Sequence, residues 1–459
     1  MKLFYCFIFI LLNLYCYCQN WQSLAGGVGN WGPVTMYADT NYLYVAGRFG
    51  TVDGMYIKGI GRWDGIKWDS LGAGVDGLDT GHQAPIGVIT TMVDFNNELY
   101  VGGSFQSMGN ISARGVGRWN GQTWDTMAVQ PGGAGVLSVI DSELYLGGAF
   151  DTIAGIAANS IVKWTGNSWQ SLGFPNLYPF PFIGVYSSIG SICKYNGKIY
   201  VAGHFYSSPI DTVGSILCFD GSIWTTVGNG IIGQNGGIDD MVVYQGELYV
   251  GGYFFKSDGN ASDNIQKWNG SIWSDVGGGT GIGNGAIYEL VVWHDKLYAM
   301  GVLETAGGVP ADRIAVWDGI KWCGLGSSFS NIISTGAVFH DSLFVGGGFM
   351  TIDGDTMNYI SKWTGGDFAD TCSTIDVSEN EIADQFYFFP NPANSSITLT
   401  YPYNSSRIQI IDVLGREFKT IILSAATTSQ IDISDLPSGI YFLRLFTDHV
   451  NLTRRMIKE

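Results

Sequence analysis

Two segments concentrate the side chains most able to meet a ligand. The first, LGAGVDGLDTGHQAPIG from Leu71, offers Asp76, Asp79 and His82. The second, LGFPNLYPFPFIGVYSS from Leu172, offers Tyr178, Phe180, Phe182 and Tyr186. Carboxylates and an imidazole suit polar atoms or a cation. Clustered rings suit the flat face of a sugar or the anchor residue of a protein partner. Metal chemistry finds little support. The chain has five histidines, His82, His204, His294, His340 and His449, and no cysteine pair has zinc-ligand spacing. The loops SDGNASDN from Ser257 and IDGDTMN from Ile352 carry acids that could take calcium, but neither has the ordered spacing of an EF-hand. Solvated loop acids are the plainer reading, and no cofactor is expected.

What positions these segments is a repeat. The phrase LYVAGRF at Leu43 recurs as LYVGGSF, LYLGGAF, IYVAGHF, LYVGGYF, LYAMGVL and LFVGGGF, at steps of 56, 45, 55, 49, 49 and 46 residues. A second phrase, RWDGIKWDSLG from Arg62, recurs in the same register through Trp119, Trp164, Phe219, Trp268, Trp317 and Trp363. Two markers in fixed relative register define one supersecondary unit repeated seven times. Each repeat reads as four strands, a to d. Strand a is an apolar run such as DDMVVY, b is the LYVGG phrase, c ends on the first aromatic, and d begins at the second. Two-residue turns join a to b (Asn196-Gly197, Gln245-Gly246) and c to d (Asp64-Gly65, Asn269-Gly270), and these pairs suit type I′ geometry. Paired tryptophans then cover the joint between neighbouring repeats.

Four-stranded repeats of this length predict an all-β fold, a seven-bladed β-propeller. The mature chain opens on NWQSLAGGV, a strand d phrase without a, b or c before it, and the last repeat has GGDF where the others have a second Trp. The N-terminal strand therefore closes the last blade, which hides two sheet edges. The repeat resembles those of the kelch and galactose-oxidase-like propellers from about Trp21 to Cys372, with Trp in place of the kelch Tyr and a shorter c–d turn. A galactose-oxidase-like copper site is not expected, because His294 and His340 fall in a–b turns on the opposite face. A sialidase Asp-box fails too, since the Asp of WDGIKW is adjacent to its Gly.

The ends have other tasks. MKLFYCFIFILLNLYCYC, residues 1–18, reads as a secretory signal peptide cleaved before Gln19, too short in its apolar run for a membrane anchor. Export permits disulfides among Cys193, Cys218, Cys323 and Cys372, and free thiols fit equally well. The propeller spans 19–372, an acidic polar linker 373–385, and a small C-terminal β-sandwich 386–459, where apolar residues alternate between turns. The tail closely resembles the type A C-terminal sorting domain of the Bacteroidetes type IX secretion system. The carried-over positions are Pro390, Asn391, Pro392, Gly415, Leu436, Gly439, Tyr441 and Lys458. That resemblance implies the type IX machinery as a partner, and delivery to the cell surface or the medium.

A net charge of −17 excludes an electrostatic nucleic-acid binder, and no segment of the mature chain is apolar enough to span a bilayer. The expected function is non-enzymatic binding of a glycan or protein on the face carrying the variable b–c and d–a connections. The alternative is a secreted carbohydrate-active hydrolase or lyase on the same face. Converging carboxylates, or an Arg, His and Tyr cluster at the channel mouth, favour the enzyme. A rim of aromatics without titratable partners favours binding.

Overall fold

The computed structural model describes residues 20–76, 87–127, 133–175, 188–206, 213–232, 236–281, 285–365, 386–401, 405–412, 416–423, 428–447 and 451–459. The chain forms two compact bodies, Met1–Asp367 and Phe368–Glu459. Both are all-β, built of small antiparallel sheets, and a single 3₁₀ turn, Lys256–Asp258, interrupts the strands of the described residues.

In the first body each repeat makes one sheet in the order a-b-c-d. Repeat 5 shows the pattern: a is Gly237–Tyr244, b Glu247–Tyr253, c Ile265–Trp268 and d Trp273–Asp275. The LYVGG strand is buried on both faces, since it is second from the inside and packs against both neighbouring repeats. The seventh sheet takes strands a to c from Ile333–Phe339, Ser342–Gly347 and Ile360–Trp363, and its outer strand is Trp21–Ser23, with Trp21 opposite Trp363. Each inner strand a packs on the next in chain order, and Ile333–Phe339 packs on Pro33–Ala38 of repeat 1.

The paired aromatics explain how repeats join. They face each other across strands c and d, with ring centroids 4.8–5.3 Å apart. The indole N–H of the second then donates to a carbonyl of the preceding repeat: Trp124 to Leu71 at 2.8 Å, Trp273 to Val227 at 3.1 Å, Trp322 to Val276 at 2.8 Å. In the seventh sheet Trp21 instead donates to a side-chain hydroxyl, Ser327 Oγ, at 3.0 Å. Trp169 is the exception, with no partner for its buried N–H. The chain must pass flat over the next Trp pair, and glycine makes that possible. A Cβ on Gly277 would stand 2.4 Å from Trp317, and its φ of +58° is one that L residues rarely adopt.

The c–d turn departs from the type I′ expectation. Positive φ falls on the glycine alone, +101° at Gly65. Asp64 stands one place earlier and its carboxylate accepts the N–H groups of Ile66 and Lys67, both at 2.8 Å. Asn120, Asp220, Asn269 and Asp318 do likewise. The acid or amide is there as a local acceptor, not for its tolerance of positive φ. The a–b turns follow expectation, with Asn96 and Asn97 at +55° and +62°.

The second body stacks a three-stranded sheet, Tyr387–Phe389, Ser396–Thr400 and Thr428–Asp432, with a four-stranded one. The latter runs Glu417–Ile422, Ser405–Asp412, Gly439–Thr447, Asn451–Lys458. Their shared core includes Phe386, Ile397, Leu399, Ile408, Ile410, Leu443, Leu445 and Met456. Several of the motif positions have structural tasks. Asn391 holds the last strand through Arg455 O at 3.0 Å and Ile457 N at 2.8 Å. Pro390 and Pro392 flank it. Tyr441 donates to Pro437 O, Leu436 lies in the core, and Gly439 pairs with Lys458, itself buried. Gly415 lies outside the described residues. Cys193 and Cys218 are free thiols, and Cys323 is disulfide-bonded.

Candidate functional site

The strongest gathering of polar chemistry comes from an irregularity repeated in every inner strand. Each strand a shifts register by one residue at the same place: Pro33/Thr35, Ile89/Thr91, Ala134/Val136, Ile189/Ser191, Ile238/Asp240, Ile287/Glu289 and Ile333/Thr335. A bulge leaves one residue unpaired and re-aims its neighbours. The unpaired residues are Val34, Thr90, Gly135, Gly190, Asp239, Tyr288 and Ser334, none fully buried. They lie near the end of the sheet where the variable connections enter.

In several repeats the residue after the bulge bonds to the next repeat. Thr91 Oγ1 accepts Leu137 N at 2.9 Å, and Thr335 Oγ1 accepts Met36 N at 3.0 Å. Ser191 Oγ accepts Met241 N at 3.1 Å. Asp240 takes the same role toward Leu290 N at 2.9 Å, and also accepts from Met241 N and Ser191 Oγ. Glu289 is the next member of this row, with Thr335 as its hydrogen-bond partner.

Repeats 4 to 6 thus bring together His204, Asp239, Asp240, Tyr288 and Glu289. Burial pushes Asp240 up to about 6, helped by the charge of Asp239 and opposed by its two amide donors and Ser191. Glu289 is raised well above the ordinary carboxyl range, first by burial and then by Asp240. Both keep some accessible surface, but protein encloses them, and enclosure governs the cost of charging. Two neighbouring carboxyls in such a place do not ionise together easily. Burial disfavours charge on His204, yet Asp239, 2.9 Å from Nε2, outweighs it and raises the imidazole. Tyr288 is raised by burial and then by Asp239.

Of the ligand-binding residues expected from sequence, Asp76 alone is among the described residues. Asp76 is engaged elsewhere: Lys58 Nζ lies 2.7 Å away and Ser107 Oγ 3.4 Å, so it ties the connections of repeats 1 and 2. Asp79, His82, Tyr178, Phe180, Phe182 and Tyr186 lie outside the described residues. Phe174, at the start of the aromatic segment, is buried edge-on against Trp224, centroids 4.5 Å apart. Among the described residues no group of three or more His, Cys, Asp or Glu is arranged to hold a metal ion. The sequence did carry a sign of the bulges. The core apolar pairs Ile189/Ile192, Ile238/Met241 and Ile287/Leu290 are each three residues apart rather than two, which breaks a strict alternation.

An all-β protein with a polar cluster at one end of its repeated sheets is the class these features define. The tail specifies the route. The family model for the secretion system C-terminal sorting domain matches residues 387–459. The chain is exported by type IX secretion to the cell surface or the extracellular space, and its tail engages the type IX machinery. No helix of the described residues is long and apolar enough to cross a membrane.

Solved structures similar to this chain include an essential surface component of the type IX secretion system of Porphyromonas gingivalis. It is 13% identical over 92% of this chain and 65% of its own, with a TM-score of 0.37. The extracellular domain of a one-component system from B. thetaiotaomicron is 13% identical over 95% of this chain and 52% of its own, TM-score 0.48. That of a hybrid two-component system from the same organism is 9% identical over 96% and 57%, TM-score 0.46. This chain therefore spans between half and two thirds of those chains. No curated protein matches it.

Proposed function

We propose that the seven sheets are the blades of a closed, kelch-like β-propeller, sealed by the N-terminal strand, that binds a glycan or protein ligand at the channel mouth. A signal peptide cleaved before Gln19 starts its export. The observation that carries the binding reading is the row of bulges. It turns Asp239 and Tyr288, with His204 beside them, toward one space on the face of the variable connections. The opposite face is built of short, uniform hairpins that accept their own amide protons and leave little to recognise a ligand.

A glycan and protein array probed with the purified chain, with and without calcium, is the direct test. A ligand found there is expected to be weakened by Asp239→Asn and His204→Gln, and to be indifferent to Asn269→Ala in a c–d turn. Binding abolished by Asn269→Ala but untouched at the mouth would reverse the assignment of faces.

One observation favours the enzyme. Asp240 and Glu289 converge, and both are poised above the usual carboxyl range, as a general acid requires. Against it, Asp240 spends its oxygens on Leu290 N, Met241 N and Ser191 Oγ, the bonding role that Thr91 and Thr335 fill elsewhere. Binding is therefore the primary reading. Cleavage of an oligosaccharide by the wild type and not by Glu289→Gln would establish the alternative.

A further inference from the structure

Strand c carries a cation next to its closing aromatic in five repeats, and in four of them an acid stands beside it. Arg62 pairs with Asp69, Arg118 with Asp125, Lys163 with Glu143 and Lys267 with Glu247, at 2.6–2.9 Å. The acid comes from strand d, opposite the cation, or from the first residue of strand b. Lys362 is the fifth cation, and repeat 7 offers it neither acid. Gln22 stands opposite it on strand d, and Ser342 opens strand b. Lys362 makes no ion pair among the described residues, and its ammonium lies over the Phe344 ring, 5.8 Å from the centroid.

Phe344 is itself a departure. The strand b residue at that register is tyrosine in the six other repeats: Tyr44, Tyr100, Tyr145, Tyr200, Tyr249 and Tyr298. The phenol serves the joint with the next repeat. Trp268 and Trp317 bring their indole N–H toward Tyr200 and Tyr249, too loosely for a formed bond. At the joint of repeats 7 and 1 the corresponding indole is Trp63, and Phe344 has no oxygen to offer it. The Trp63 N–H makes no hydrogen bond among the described residues. Two donors, an ammonium and an indole N–H, therefore meet at this joint without the anionic or phenolic oxygens that other repeats supply. A groove of about 390 Å³ lies there, walled by Trp63, Ile66, Phe339 and Phe344 and lined by Lys362 and Gln22. That volume suits a small ligand, and no Asp or Glu lines it.

We propose that this groove binds a small aromatic carboxylate. The carboxylate takes the place of the missing oxygens, between the Lys362 ammonium and the Trp63 N–H. The ring of the ligand rests on the apolar wall of Phe339, Phe344 and Ile66. A free amino acid is a poorer fit, because its ammonium meets Lys362 and finds no carboxylate in the groove. Inorganic phosphate is poorer too, since it leaves the apolar wall uncovered. The site shares no residue with the cluster at the mouth, and it arises where strand d comes from the N-terminus and brings Gln22 in place of an acid.

Ligand-observed NMR titration of the purified chain tests this with phenylacetate, 2-phenylethanol and inorganic phosphate. Phenylacetate is expected to bind about tenfold more tightly than the alcohol, the scale of one charge-assisted hydrogen bond, and equimolar phosphate should not displace it. Lys362→Met should bring the acid down to the alcohol's affinity and leave the alcohol unchanged. Two further variants restore residues that other repeats carry, so they suit the fold. Gln22→Asp should pair Lys362 as Asp69 pairs Arg62, and Phe344→Tyr should return a phenol to Trp63. Each is expected to weaken phenylacetate about tenfold with a melting temperature no lower than wild type, while Asp239→Asn at the mouth changes nothing. No binding of phenylacetate, equal affinity for acid and alcohol, or displacement by phosphate would each overturn the proposal. So would an affinity for the acid that ignores both Lys362→Met and Gln22→Asp. Binding lost in Asp239→Asn alone would put the ligand at the mouth and overturn it as well.

Discussion

Replacing Trp21 by alanine asks whether a strand at the N-terminus is part of a sheet whose other strands lie more than 300 residues away, as the 306-residue separation from Ser327 illustrates. Trp21 is 1% exposed, packs edge-on against Trp363 at 4.9 Å and Phe329 at 5.3 Å, and bonds Ser327 Oγ. Removing a buried Trp side chain costs about 3–5 kcal/mol in lost transfer energy and residual cavity. Ser327→Ala removes only the hydrogen bond and should cost about 1 kcal/mol. With unfolding entropy near 2 cal/mol/K per residue, a body of this size loses about 0.7 kcal/mol of stability per degree. Trp21→Ala is therefore expected to lower the melting temperature by about 5 °C, and Ser327→Ala by 1–2 °C. Trp169→Ala is the internal reference. It holds the same place in repeat 3, 3% exposed and 5.0 Å from Trp164, but without an N–H partner. It should fall slightly short of Trp21→Ala. Scanning calorimetry and urea denaturation read both. If Trp21→Ala melts within a degree of wild type while Trp169→Ala does not, the N-terminal strand is not part of the folded core and closure through it is wrong.

The Asp240 contribution to stability should fall as pH rises from about 4 through about 6. Asp240 titrates near 6 when folded and near 3.9 when unfolded, so its contribution is fully present below pH 4 and is lost by pH 6–7, about 2–3 kcal/mol in all. Glu289→Gln, which removes the enclosed carboxyl, should be at least as stable as wild type at pH 8, and a clear loss there would contradict the upward shift of Glu289 by burial. Gly277→Ala should cost about 2–4 kcal/mol from the clash with Trp317 and the positive φ. Gly308→Ala, with nothing within 4 Å of its Cβ, should cost about 1 kcal/mol, and equal losses in chemical denaturation would disprove the packing argument. Deleting residues 386–459 should leave the melting of the first body unchanged and hold the protein in the periplasm. Surface display without the tail, seen by fractionation, would refute the sorting role.

Much of the architecture was written locally. The LYVGG strand, the Asp-Gly or Asn-Gly turn and the paired aromatics each act within a dozen residues, so their spacing survives in the sequence and marks every repeat. The orphan phrase at Trp21 was legible for the same reason: a strand d sequence needs a strand c, and the last repeat lacked a second Trp. The tail's Asn391 and Tyr441 were recognisable as motif positions, although their work, holding the last strand and a nearby carbonyl, shows only in the fold. The c–d turn was misread in detail, because Asp-Gly satisfies both a type I′ turn and an Asx acceptor followed by glycine.

The site was hidden for a different reason. His204 and Asp239 are 35 residues apart and meet at 2.9 Å, and Asp240 and Glu289 belong to separate repeats. One extra residue in each inner strand turns them toward a common space, and a bulge leaves only a faint break in alternation. Whether a carboxyl there is charged depends on the protein enclosing it and on its neighbours' charge, neither of which is a property of its place in the chain. Strand, turn and repeat follow from short-range sterics and side-chain period, so the sequence by itself determined them. Which acids face each other follows from long-range packing, and only the tertiary structure decided that.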